Sequence, residues 1–230
     1  MRVLGISTTT HTPNEEHPTP STSVLALQYF LKICQNIPGV ETRYIDAHKL
    51  HIVENMSCYS SDKWNCGGKD SGPYRCWAHK LSVEDPDAYG GVDEMPIIYD
   101  GIEWADAVII ATSVRWMNHS AVLQKVIERL NTLENRHSVY GEPNPVEGKK
   151  AGFIVSGAHY QTQEVGARLV EVFEQLGFTT ESGYGVLTWQ RYQNRNHEQE
   201  GSNTPHMWRY LKSEDGIEQI ESLLKFIGVY

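Results

Sequence analysis

Short aliphatic runs bounded by turn residues, each followed by a helical repeat, set the outline of this chain. Residues 106–111 hold Val108, Ile109 and Ile110 in an uncharged run too short for a helix, the pattern of a strand buried on both faces. The next helix gathers Val122, Leu123, Val126, Ile127 and Leu130 on one face, with Asn118 or Ser120 available as its N-cap. Residues 2–7 read as a first strand. Ser21, Thr22 and Ser23 then open a helix whose apolar face carries Val24, Leu27, Leu31 and Cys34. A second strand is expected over 40–46, a turn of helix over 99–104, and a fourth strand over 151–156. A helix over 162–176 follows, with Val165, Leu169, Val172, Phe173 and Leu176 inward and Gly177 as its stop. Residues 178–187 predict a fifth strand and 188–214 a polar aromatic loop. The last helix has Asp215 and Glu218 as a capping-box-like pair, with Ile217, Ile220, Leu224 and Ile227 facing inward.

Strands alternating with helices predict an α/β, doubly wound parallel sheet, and 230 residues suit a single domain, residues 1–230. The uneven part is 47–96, a long insertion before the third strand, rich in Gly, Asp, Ser and aromatics, with turn signals at Gly67-Gly68, Gly72-Pro73 and Gly90-Gly91. A connection of that length is usually functional or structured in its own right.

Candidate chemistry lies where strands run into helices, because open α/β sheets bind ligands outside the carboxyl ends of their strands. The third strand ends in Thr112-Ser113-Val114-Arg115-Trp116, a polar and aromatic turn. At Ser21-Thr22-Ser23, hydroxyls and unpaired first-turn N–H groups make an anion site into which a monophosphate fits. Ser156-Gly157-Ala158-His159-Tyr160 is a third such loop.

Thr112-Ser113-Val114-Arg115-Trp116, followed by Ile127-Glu128-Arg129-Leu130, resembles the flavodoxin-like NAD(P)H-dependent FMN reductase family. There the third strand ends in Thr/Ser-Pro-Val-Tyr/Arg-Trp and the next helix in Ile-Asp/Glu-Arg-Leu; Ser113 stands in the proline's place. Ser7 and Pro20-Ser21-Thr22-Ser23 are similar to the family's amino-terminal Gly-Ser-Pro-Arg and Gly-Asn-Thr-Ser. The resemblance implies a flavodoxin-like five-stranded sheet of order 2-1-3-4-5, FMN as cofactor and NAD(P)H as co-substrate. It implies a cofactor site of Ser7, Thr9, Ser21, Thr22, Ser23, Thr112, Ser113, Val114, Arg115, Trp116, Ser156, Gly157, His159 and Tyr160. Main-chain groups of the third-strand turn would hold the isoalloxazine, and His159 or Tyr160 would contact the ring or the substrate. Arg115 would stabilise the negative charge of reduced flavin. No protein acid or nucleophile is obligatory, because the cofactor carries the chemistry. The acceptor is expected to be a small quinone, flavin, nitro or azo compound, and the insertion is expected to contribute to a homodimer or homotetramer.

A formal charge of -9 argues against a nucleic-acid partner. No apolar run is long enough to span a membrane, and Met1 leads into a strand without a secretory signal, so the expected compartment is the cytoplasm. Cys58, Cys66 and Cys76, with His79 close behind, are spaced too widely for paired Cys-x-x-Cys ligands. They are expected to be structural or partly exposed thiols without a metal, and Cys34 a core residue. The aromatics and arginines of 191–197 and 205–210 read as surface or subunit contact. Neither Gly-x-Gly-x-x-Gly, Gly-Lys-Ser/Thr nor Gly-x-Ser-x-Gly occurs, which disfavours a Rossmann dehydrogenase, a P-loop enzyme and an α/β-hydrolase. Two alternatives stay open: a flavodoxin-type electron carrier without NAD(P)H activity, and a flavin-less flavodoxin-like binding module.

Overall fold

The computed structural model describes residues 1–9, 20–58, 65–157, 161–190 and 204–229. In chain order these form β1 (Arg2–Ser7), α1 (Thr22–Gln35), β2 (Glu41–Asp46), α2 (Trp77–Glu84), α3 (Met95–Trp104) and β3 (Ala107–Ser113). The second half adds α4 (Ala121–Ser138), β4 (Lys150–Gly157), α5 (Thr162–Gln175), β5 (Val186–Gln190), α6 (Thr204–Leu211) and α7 (Glu214–Ile227). The strands pair in parallel in the order β2-β1-β3-β4-β5. The flavodoxin-like order is therefore present, with its switch point between β1 and β3.

The continuous apolar run of β3 has a direct cause: both of its faces are covered. Val108 and Ile110 join Leu4, Ile6, Phe153 and Val155 against α3, α4 and α5. Ile109 and Ala111 join Val3, Ile154 and Leu187 on the opposite face, where α1, α6 and α7 supply Leu27, Phe30, Met207, Leu223 and Leu224. Helix α1 lies close on β1 because position 5 has no side chain; a Cβ on Gly5 would stand 2.6 Å from Leu31 Cδ1.

The insertion is held down by a polar stripe on α4. Arg129, Thr132 and Asn135, each about one turn from the next, are all buried. Arg129 donates to both carboxylate oxygens of Asp93, at 2.9 and 2.6 Å, and to Cys76 Sγ at 3.2 Å. Thr132 Oγ1 donates to the Arg75 carbonyl at 2.6 Å and Asn135 Nδ2 to that of Cys66 at 3.3 Å. Burial works against the charge of Arg129, yet the Asp93 hydrogen bonds hold its pKa above the usual guanidinium value. All four cysteines are free thiols and all are buried, including Cys58, Cys66 and Cys76. Burial pushes Cys34 and Cys66 up to about 12, which makes them inert packing groups.

Four expectations need correction. The fifth strand starts eight residues later than expected: Thr179 makes only an isolated bridge to Lys150, then a glycine-bearing turn closed by Gly185 N donating to the Glu181 carbonyl precedes Val186. The tract 188–214 is not a loop throughout, because β5 runs to Gln190 and α6 buries Met207 and Leu211. Helix α7 is capped by Ser213, whose hydroxyl accepts from Gly216 N, and not by an Asp215–Glu218 box. Ile217 is exposed, since the first turn of α7 borders a polar cavity lined by Thr188, Gln190, Asp215 and Gln219. The face is filled instead by Leu223 and Phe226.

Candidate functional site

The carboxyl ends of β1, β3 and β4 meet through a lattice of hydroxyl groups. Ser120, the N-cap of α4, donates from its hydroxyl to the Thr8 carbonyl at 2.6 Å and accepts from Leu123 N at 3.2 Å. Its own N–H donates to Thr112 Oγ1 at 3.1 Å, so one serine ties the end of β1 to the end of β3 and starts α4. The resolution between Asn118 and Ser120 as cap is thus in favour of Ser120.

Helix α1 begins in the same lattice. Ser21 caps it, accepting from Val24 N, and shares a hydrogen bond of 3.1 Å with Ser23 Oγ. Ser23 Oγ in turn lies 2.7 Å from Thr9 Oγ1, and Thr22 Oγ1 donates to Ser156 Oγ at 2.9 Å. Thr9, Ser21, Thr22, Ser23 and Ser156 are therefore one contiguous patch at the N-terminus of a 14-residue helix, where the first amides have no intrahelical acceptor. Ser7 is placed differently. Its hydroxyl pairs with Tyr44 OH at 2.8 Å and donates to Asp46 at 3.2 Å, which turns it toward the edge strand β2.

The turn after β3 is built to a tight specification. Val114 N donates to the Ser156 carbonyl at 2.8 Å, which carries the end of β3 onto the end of β4. A Cβ at Gly157 would come within 2.9 Å of Thr162 and 3.2 Å of Val114, so only glycine lets those segments close up. Arg115 and Asn118 then pair across a two-residue hairpin, with N···O distances of 2.7 and 3.0 Å. Its central residues, Trp116 and Met117, both have positive φ, 46° and 68°. That is the backbone of a turn normally made by Asn-Gly, and holding it with two other residues costs about 1–3 kcal/mol each. Arg168 of α5 braces the turn, donating to the Met117 carbonyl at 2.6 Å. Among the described residues the Arg115 side chain donates only to the Val114 carbonyl, at 3.2 Å, and Arg115 is exposed. His159 and Tyr160 lie outside the described residues.

Among the described residues two buried oxygens at this rim, Ser113 Oγ and Gln161 Oε1, have no hydrogen-bond partner, and Ser113 is the one on a strand. An unpaired buried hydroxyl is a cost of about 1–3 kcal/mol unless a ligand meets it. The patch fits FMN on two counts. Hydroxyls and free amides at the start of α1 suit a monophosphate, and an unpaired hydroxyl next to them suits the hydrogen-bonding edge of a flavin ring. Sequence reasoning did not single out Thr8 or Arg168, because each acts through a carbonyl of a distant strand or turn. Among the described residues no group of His, Cys, Asp and Glu side chains is arranged to hold a metal ion.

Fold and site together define a flavodoxin-like α/β protein of the flavin-binding class. Residues 1–188 match the NADPH-dependent FMN reductase family, and the chain belongs to that family. It is an FMN-dependent NAD(P)H oxidoreductase, which sets aside the electron carrier without NAD(P)H activity and the flavin-less module. No curated protein matches the chain by sequence. Among solved structures it is similar to RosB with a bound 8-demethyl-8-formylriboflavin-5′-phosphate intermediate, at TM-score 0.68 and 16% identity over 99% of this chain and 79% of that one. It is also similar to an FMN-dependent NADH-azoreductase from Bacillus anthracis in complex with FMN, at TM-score 0.59 and 13% identity over 99% and 100%. A third similar structure is the apo form of an NADH:FMN oxidoreductase, at TM-score 0.55 and 14% identity over 98% and 88%. Identities this low speak for the fold alone.

Proposed function

We propose that this protein passes electrons from NAD(P)H to a small organic acceptor, a quinone, free flavin, nitro or azo compound, at the rim formed by β1, β3 and β4. The observation that carries the reading is the unpaired, buried Ser113 hydroxyl beside the Thr9–Ser21–Ser23 hydroxyl patch at the β1/β3 switch point. FMN held there would supply the two-electron redox chemistry that links NAD(P)H to the acceptor. The residues divide the binding work. The N-terminus of α1, with Ser21, Thr22 and Ser23, holds the phosphate; the backbone of 112–116 and the Ser113 hydroxyl face the ring; Ser156 and Gly157 shape the floor.

Arg115 is the one cation on the turn. Its guanidinium is free to swing toward the ring, where it would favour the reduced, more negative form. The working form in this reading is a homodimer or homotetramer in the cytoplasm. Four free thiols support a reducing compartment. Among the described residues no helix is long and apolar enough to cross a membrane.

The test is an absorption spectrum of the purified protein after incubation with FMN and removal of free flavin. The expected result is a bound oxidised-flavin spectrum that NADH or NADPH bleaches. No FMN retained at micromolar protein overturns the reading, as does a bound flavin that neither nucleotide reduces.

A further inference from the structure

Helices α1 and α6 pack on the same face of the sheet, and a groove of about 660 Å³ runs between them. Each helix lines it with one stripe. Leu25, Tyr29, Lys32 and Asn36 recur at helical spacing along α1, and Thr204, Trp208 and Lys212 follow one another a turn apart on α6 and just past its end. Tyr29 and Trp208 meet edge to face between the two stripes, ring centroids 5.5 Å apart. On its inner face α6 is anchored by Met207 and Leu211, so the core is filled without Trp208, which stays 39% exposed. Its indole is held beside the groove by Tyr29 and by Lys212, whose Nζ stands 5.9 Å from the ring centroid.

The chemistry of the groove is one-sided. Its charged residues, Lys32 on one wall and Lys212 on the other, are both cations, and among the described residues no carboxylate lines it. In a chain of formal charge -9 that is a local reversal of sign. A mainly apolar trough of this size with a few placed polar groups has the usual form of a small-ligand site. From Leu25 to Asn36 the α1 stripe is about 16 Å long at about 1.5 Å per residue, the length of an extended dodecyl chain. None of its lining residues belongs to the hydroxyl patch at the start of α1. A second copy docked about a two-fold axis would set the same acid-free, cationic surface against itself, so the complementary occupant is an anion with an apolar body.

We propose that the α1–α6 groove binds a long-chain alkyl carboxylate, a monomeric fatty acid, whose chain lies over Leu25, Ile33 and the Tyr29–Trp208 pair and whose carboxylate is met by Lys32 and Lys212. The lysines supply the selectivity for the headgroup, because an ammonium group on each wall attracts one negative charge and repels a positive one. The alkyl chain supplies affinity in proportion to the area it buries, so a short carboxylate binds poorly. Lysine stems are apolar along their length, so both residues cover part of the chain while their charges stay at the surface. The site stands apart from the flavin rim, and the inference does not depend on the flavin reading.

The experiment is isothermal titration calorimetry of the full chain with dodecanoate below its micelle-forming concentration. Dodecanoate is expected to bind at micromolar concentration, and butanoate and dodecyltrimethylammonium about tenfold more weakly or worse. Lys32→Gln with Lys212→Gln is expected to weaken dodecanoate about tenfold without weakening dodecyltrimethylammonium. Trp208→Ala is expected to weaken both, and Trp208→Phe to recover most of the loss. Both lysines are exposed, so the double variant decides the matter even where Trp208→Ala loses its circular dichroism spectrum. The proposal is overturned by absence of dodecanoate binding, by equal affinity for the two headgroups, or by affinity unchanged in the lysine double variant or in folded Trp208→Ala. A halving of the particle mass of the double variant in sedimentation also overturns it, since the groove would then be a subunit contact. Cosedimentation with phosphatidylglycerol vesicles by protein that binds no monomeric dodecanoate overturns it in favour of a membrane surface.

Discussion

Arg129 on α4 and Asp93 in the insertion form a bidentate ion pair with both side chains at 2% exposure or less. Removing one partner strands the other charge in the interior, which typically costs about 3–5 kcal/mol. Arg129→Met is therefore expected to lower stability by that order in urea unfolding. Arg129→Met combined with Asp93→Leu is expected to recover part of the loss, because the second change removes the stranded carboxylate. Additive losses in the double variant would contradict this account.

Ser113→Ala separates a ligand group from a structural one. Deleting an unpaired buried hydroxyl removes a desolvation cost, so the apoprotein is expected to gain up to about 1 kcal/mol in thermal unfolding. FMN affinity, measured by fluorescence titration, is expected to fall by a similar amount. A loss of apoprotein stability would mean that the hydroxyl has a protein partner.

Thr22→Ala with Ser23→Ala is expected to weaken FMN by about 1–3 kcal/mol, the usual loss for hydrogen bonds to a charged group, and to affect riboflavin far less. Equal losses for both ligands would leave these hydroxyls as struts to Ser156 and Thr9 only.

Arg115→Met keeps the side-chain stem and removes the charge. The bound flavin is expected to show a lower reduction potential in a dye-equilibration titration and slower bleaching by NAD(P)H, with an unchanged far-ultraviolet circular dichroism spectrum. A potential equal to that of the unmodified protein would rule out the electrostatic role.

His119, beside the turn, is partly buried and its Nδ1 lies 3.1 Å from the Ser120 carbonyl. Burial lowers its pKa below the ordinary 6.5, the nearby Arg168 adding to the shift. In the window between the folded value and 6.5 the unfolded chain binds more proton than the folded one. The contribution of His119 is thus intact above about pH 6.5 and is lost as pH falls through the folded pKa. His119→Gln is expected to flatten the decline in melting temperature below pH 6.5; an identical decline would assign it to other groups.

The sheet was legible because its signals are local. The uncharged β3 run, the Ser21–Ser23 cap and the Gly177 stop each reveal themselves within a few residues, and each stands where the pattern puts it. The hydroxyl patch was legible for the same reason, as residues beside strand ends. Other features depend on partners far along the chain. Arg129 reads as a surface charge in a helical repeat until Asp93 is brought to it. Arg168 looks like any exposed arginine until the turn at Met117 comes within reach. The strain at Trp116 and Met117 has no sequence signal at all, since the usual Asn-Gly marker of that turn is missing. Helix α6 was obscured because only Met207 and Leu211 of its eight residues are buried.

The stripe of Arg129, Thr132 and Asn135 also sets an order of events. The contacts it makes close sequence gaps of 36 to 76 residues and land mainly on backbone carbonyls and a carboxylate, not on an apolar surface the insertion could bury by itself. Residues 65–93 consequently have no reason to hold their shape until α4 has docked on β3, and they form a late, dependent cooperative unit. In native-state hydrogen exchange the amides of this segment are expected to open together and well before those of β3, while the strand ends joined through Ser120, at the other end of α4, stay closed.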